Sequence, residues 1–146
     1  MGQFAADIMV TDFSFVDSDA TVAEAEEWFE QDGITSLPVL NPDRTVFGLL
    51  TVKNLAGFHR RPLNNPHAFH AWEICDARPL VKHQSSTLDD ITEAVLEMPR
   101  PHVLIVDDNQ QLVGVISAEQ LLHHWLASAR GTLPSANRHR RSRAVS

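Results

Sequence analysis

A fourteen-residue pattern occurs twice in this chain, and its recurrence limits the fold more than any other feature. Leu37-Pro-Val-Leu-Asn-Pro-Asp-Arg-Thr-Val-Phe-Gly-Leu-Leu50 and Val103-Leu-Ile-Val-Asp-Asp-Asn-Gln-Gln-Leu-Val-Gly-Val-Ile116 are offset by 66 residues. Each has a short run rich in Val, Ile and Leu, then a polar turn, then a second such run. That reads as two buried strands joined by a turn. A hydroxyl residue able to open a helix follows each one: Thr51 in Thr51-Val-Lys-Asn54 and Ser117 in Ser117-Ala-Glu-Gln120.

The offset extends beyond these stretches without a gap. Ile8 falls on Ile74, Thr21 on Thr87, Val22 on Leu88, Ala25 on Ile91, Phe29 on Val95, Gly48 on Gly114 and Leu55 on Leu121. Identity is low, but apolar, turn and capping positions coincide. Two copies are too few for a solenoid, and each copy alone has little core. A pseudo-twofold pair packed face to face is the arrangement that buries both.

At 146 residues, 43% of them hydrophobic, the chain makes one compact domain or two very small ones that need each other. One cysteine, Cys75, rules out an intramolecular disulfide and suits a reducing compartment, the cytoplasm. No run approaches 18 apolar residues and no signal pattern opens the sequence, so no membrane partner is expected. The net charge of −7 is uneven: residues 127–146 hold five arginines and no acid, which leaves the rest strongly acidic. An acidic body disfavours nucleic acid as a partner.

In chain order, residues 3–10 read as a short lead-in, and Phe13, Phe15 and Val16 as a short strand. Thr21-Val-Ala-Glu24 fits a capping box that opens a helix with Val22, Ala25, Phe29 and Trp28 on its apolar stripe, ended by Gly33. The strand pair follows, then a helix from Thr51 to Phe58. Two prolines and two asparagines in His59–His70 argue for a linker without regular structure. The second copy repeats the order, its first helix carrying Leu88, Ile91, Val95 and Met98 on one face, with Pro99 and Pro101 as the stop. The expected fold class is α+β, strand-helix-strand-strand-helix twice. Residues 1–58 form the first motif, 59–70 the linker and 71–127 the second motif. An Arg-rich tail at 128–146 is expected to be disordered.

These residues resemble a tandem pair of CBS domains, the Bateman module, over roughly residues 5–126. The resemblance is carried by Asp7-Ile-Met9, Asp19-Ala-Thr21-Val22, Gly33-Ile34 with Leu37-Pro38-Val39, and Gly48-Leu-Leu-Thr51-Val-Lys-Asn54. In the second copy it is carried by Ser86-Thr87-Leu88, Val103-Leu-Ile-Val-Asp107 and Gly114-Val-Ile-Ser117-Ala-Glu-Gln120. It implies a non-catalytic regulatory module that binds an adenosine-containing molecule (AMP, ADP, ATP or S-adenosylmethionine) in clefts between the copies and signals to an effector protein. It also implies pairing into a homodimer, for which Trp28, Leu122 and Trp125 are the apolar residues left over. The alternative is the same fold serving as a ligand-free dimerisation or docking module.

The family's ligand motif, Gly-x-x-Thr/Ser-x-x-Asp, is physically sensible: close backbone approach at glycine, a hydroxyl at a helix start for phosphate, a carboxylate one turn on for the ribose hydroxyls. Here it reads Gly48, Thr51, Asn54 and Gly114, Ser117, Gln120, so neither copy keeps the acid. Two readings stay open at each: ligand contact, or a helix cap alone. Asn54 keeps an acceptor near the length of aspartate, which directs the ribose to Thr51 and Asn54, with Ile34, Leu37 and Pro38 as walls and Phe13 and Ser14 at the rim. Arg100 and His102 stand where basic residues of the family face phosphates, or are merely exposed. His67, His70, His123 and His124 complete no metal-binding pattern.

Overall fold

The computed structural model describes residues 3–131. The elements run α1 (Ala5–Ile8), β1 (Val16–Asp17), α2 (Val22–Asp32), β2 (Ser36–Leu40), β3 (Val46–Thr51) and α3 (Val52–His59). The same order then recurs as α4 (Ala71–Ile74), β4 (Leu80–His83), α5 (Leu88–Glu97), β5 (His102–Val106), β6 (Leu112–Ser117) and α6 (Ala118–Arg130). The α+β expectation holds, with the lead-in of each copy coiled into one helical turn.

Local chemistry sets the helix ends. Thr21 Oγ1 accepts from the Glu24 N–H at 3.1 Å, and the Glu24 carboxylate accepts from the Thr21 N–H at 2.8 Å. These bonds hold the Glu24 carboxyl below its usual range. Gly33, at φ 62°, closes α2 in the left-handed conformation that only glycine adopts freely. No glycine serves α5, which stops at Glu97 ahead of Pro99 and Pro101. Met98 therefore falls outside the helix and is 45% exposed, off the apolar face expected to include it, whereas Leu88 and Ile91 are buried.

Each copy forms a three-stranded sheet rather than a bare hairpin. β1 runs parallel to β2, which is antiparallel to β3, and β4, β5 and β6 repeat this. Register slips between Val39 and Leu40 and again between Ile105 and Val106, and positive φ recurs at Arg44 and Gln110, all 66 residues apart.

A twofold axis requires equivalent residues to meet each other, and they do. Ser36 Oγ lies 2.8 Å from Nδ1 of its counterpart His102, and Thr45 forms a β-bridge with its counterpart Gln111. Between the sheets Leu40, Leu49, Leu104 and Leu112 are buried, packed by Phe13, Phe15, Val46, Val81 and Val115. A helix-side core lies behind each sheet, with Val22, Ala25, Leu50 and Leu55 in one and Leu88, Ile91, Ile116 and Leu121 in the other.

The lead-ins are exchanged. Ala5, Ile8 and Met9 pack into the core of the second copy, and Ala71, Ile74 and Cys75 into that of the first. Backbone bonds fix the exchange: Val10 and Val115 bond to each other in both directions, as do Leu49 and Asp76. The packing units thus cross the repeat boundaries at 58 and 71.

α3 runs on to His59, and residues 60–69 of the linker have neither helix nor strand. They are nonetheless tied down: Asn64 Nδ2 donates to the Phe58 carbonyl at 2.9 Å and Phe69 sits edge-on to Phe58. One boundary is corrected. Ser128–Arg130, placed by sequence in the tail, continue α6 to a left-handed cap at Gly131, because Ala and Arg favour helix and a glycine stands where it can close it. The rest of the tail lies outside the described residues. No described helix is long and apolar enough to cross a membrane.

Candidate functional site between the two copies

Where the two sheets meet, loops and helix starts of opposite copies leave two clefts. The first, of about 410 Å³, is lined by Phe13, Ser14, Gly33, Ile34 and Pro38 of the first copy. The second copy supplies His102, Ser117 and Gln120, and Val10, Asp12, Asp32, Thr35, Ser36, Leu49 and Val115 complete the wall. A volume of this size accommodates a small organic ligand. The second cleft, of about 530 Å³, is lined by Thr51, Lys53, Asn54, Asp76, Pro99, Arg100 and Pro101. Shifting Thr51 and Asn54 by 66 gives Ser117 and Gln120, and shifting Gly33 to Ser36 gives Pro99 to His102, so the clefts are pseudo-twofold mates.

This geometry corrects the grouping expected from sequence. Phe13, Ser14, Ile34 and Pro38 do come together, but with Ser117, Gln120 and His102 rather than with Thr51 and Asn54. Thr51 and Asn54 face Arg100 in the other cleft. Leu37 lines neither; it is fully buried in the helix-side core. Gly48 is buried too, and a Cβ there would stand 2.5 Å from the Asp76 carbonyl oxygen, so its close approach is to the exchanged lead-in. Lining residues that the sequence does not single out include Asp12, Asp32, Thr35 and Ser36. Asp32 adjoins the Gly33-Ile34 feature, whereas nothing in the repeat marked Asp12 or Ser36.

Both motifs act as capping boxes. Asn54 Oδ1 accepts from the Thr51 N–H at 2.9 Å and from its hydroxyl at 3.0 Å. Ser117 Oγ accepts from the Gln120 N–H at 3.1 Å, and Gln120 Oε1 from the Ser117 N–H at 2.8 Å. The extra methylene of Gln120 lets its amide nitrogen also donate to the Ile8 carbonyl at 3.0 Å, which clamps the lead-in of the other copy. Within the first cleft, burial holds the His102 imidazole below its ordinary value of 6.5, so the ring is neutral at pH 7. In the second, Arg100 Nε is 3.4 Å from an Asp76 carboxylate oxygen, yet it is buried without a hydrogen-bond partner of good geometry. Cys75 is half-buried beside Gly48, and burial together with the Asp76 charge raises its thiol to about 11. No group of three metal-ligating side chains occurs among the described residues.

The family model described as CBS domain matches the chain twice, over residues 5–60 and 73–127. The chain belongs to the CBS domain family. As a CBS pair it is a regulatory module and not an enzyme. Solved structures share its fold. CBSX2 from Arabidopsis thaliana, a CBS-pair protein, is 20% identical with a TM-score of 0.76, over 89% of this chain and 99% of that one. CBSX2 is also known in complex with AMP. The CBS domain pair of MJ0100, in complex with 5'-methylthioadenosine and S-adenosyl-L-methionine, is 17% identical with a TM-score of 0.74, over 88% and 99%. Among curated protein sequences nothing matches.

Proposed function

We propose that this CBS pair is a regulatory module that binds an adenosine-containing metabolite in the first cleft and passes its occupancy to an effector protein in the cytoplasm. AMP, ADP, ATP and S-adenosylmethionine are the set to test. One observation carries this reading: the cleft wall comes from both copies, the loops around Phe13 and Ile34 from one and the start of α6 from the other. A ligand there touches both halves at once and so biases their relative placement, which is what a sensor requires. The complexes of CBSX2 with AMP and of MJ0100 with adenosine derivatives support the ligand class.

A thermal-shift or calorimetric titration with those four compounds tests it. A ligand at a hundredfold excess over Kd stabilises the folded state by about 2.7 kcal/mol. Phe13→Ala, which removes a half-buried wall residue, should weaken that binding; because Phe13 also packs between the sheets, affinities are compared on samples shown to be folded. Binding that ignores Phe13→Ala would place the ligand elsewhere.

The ligand-free reading also has its own observation. The motif hydroxyls and amides of both copies are already bonded to one another in caps. In that reading the module is a homodimer or docking unit, built on exposed Trp28 and Leu122. Trp125 contributes less, since its indole N–H donates to Thr92 Oγ1 at 2.7 Å. We propose homodimerisation under either reading, and light scattering at tens of micromolar decides it.

A further inference from the structure

The two clefts are equivalent in backbone but opposite in charge. The first presents the carboxylates of Asp12 and Asp32 and has no Lys or Arg in its lining, whereas the second presents Lys53 and Arg100 against the single carboxylate of Asp76. Corresponding lining positions differ in charge: 66 residues on, Ile34 of the first cleft becomes Arg100 of the second, and Val10 becomes Asp76. The helix starts are equivalent in the two clefts and so do not create the difference. At the first cleft the N–H groups of Ser117, Ala118 and Gln120 already donate to Gln120 Oε1, the Pro101 carbonyl and Ser117 Oγ. At the second, those of Thr51, Val52 and Asn54 are engaged in the same way. The side chains therefore decide which ligand charge each cleft tolerates.

We infer that the first cleft selects an unphosphorylated nucleoside-type ligand, uncharged or cationic, over the corresponding phosphate ester. A phosphate brought beside two carboxylates, with no cation to meet it, is repelled; a neutral ribose hydroxyl is not, and it finds acceptors. His102, the one base in the lining, is neutral at pH 7 and supplies no compensating charge. This deepens the proposed function and rests on its reading of the first cleft as the ligand site.

The test is a titration of the whole chain with adenosine and, separately, AMP, followed by amide NMR so that each cleft reports for itself. Gly33 and Gln120 mark the first cleft, Lys53 and Asn54 the second. Adenosine should bind the first cleft about tenfold more tightly than AMP, the size expected of like charges within several ångströms near a surface. Raising the salt from about 0.05 to 0.5 M should shrink that ratio in the wild type, since added ions screen exposed charge. In the Asp12→Asn, Asp32→Asn double variant the ratio should fall towards one. AMP binding the first cleft as tightly as adenosine overturns the inference and leaves the ligand-binding reading standing. Absence of any adenosine or AMP signal at Gly33 and Gln120 overturns both.

Discussion

Gly48 and Gly114 show how much a single atom decides here. A Cβ on Gly48 would meet the Asp76 carbonyl oxygen at 2.5 Å and Cys75 Sγ at 2.7 Å; one on Gly114 would meet Met9 Sδ at 2.4 Å. A backbone carbonyl cannot yield without breaking the Leu49–Asp76 bridge, whereas Met9 can turn its sulfur and Cγ aside and leave only its Cβ, at 2.9 Å, to give by a fraction of an ångström. Gly48→Ala should therefore cost about 2–3 kcal/mol and Gly114→Ala about 1, within the usual range for overpacking. Urea midpoints of the two variants, at unchanged m-value, give the comparison; equal costs would contradict the exchange geometry. His102 carries a second prediction. Its folded value is depressed by burial, so its contribution to stability is present above the unfolded value near 6.5 and is lost as the pH falls below it. The melting temperature should drop between pH 7.5 and pH 5.5. The drop should be smaller in His102→Asn, whose amide sits near the place of Nδ1, within reach of Ser36, and does not titrate. Identical drops in both would mean that the titration lies with another group.

At the scale of elements, the sequence made most of the fold readable because each boundary has a local chemical cause. Thr21, Thr51, Thr87 and Ser117 all cap the helices assigned to them, and Gly33 ends α2. Three elements escaped. The end of α6 lies beyond the expected one because Ser128–Arg130 carry no large apolar residue to mark the helix, while helix propensity and the glycine cap carry the turn onward. The parallel pairing of β1 with β2 and of β4 with β5 is not visible in the sequence, since strands of two and four residues are too short to show a period. The cleft partners were assigned within one copy because a repeat states which residues correspond and not which copy's loop covers which motif. A truncation at the tail follows from α6. A chain ending at Gly131 should keep its melting temperature within about 2 °C, since the sequence beyond has no apolar period to bury. A chain ending at Ala127 loses the last helical turn and its cap and should melt several degrees lower. Equal melting of the two chains would show that the last turn contributes nothing.

Over the whole molecule, the exchange of lead-ins makes two similar halves into one cooperative body. The first copy lacks the apolar residues that close its helix-side core, because Ala71, Ile74 and Cys75 of the second supply them, and the second depends in turn on Ala5, Ile8 and Met9. Leu40 and Leu49 on one sheet and Leu104 and Leu112 on the other face each other, so separation would expose both leucine pairs. Burying one such leucine is worth about 1.5–3 kcal/mol, and the whole of a small domain's stability is only about 5–15 kcal/mol. Neither half can lose that much and stay folded. Single-tryptophan variants test this directly. Trp28 lies on α2 of the first copy and Trp125 on α6 of the second. In a chain retaining only Trp28 and in one retaining only Trp125, fluorescence should report the same urea midpoint as far-UV circular dichroism. Ala5→Asp places a charge in a site with no exposure, inside the core of the second copy. It should lower both tryptophan midpoints together, by about 2 kcal/mol or more. A variant in which Trp125 unfolds early while Trp28 holds would show that the halves are stable apart, and that a ligand at one cleft need not be felt at the other.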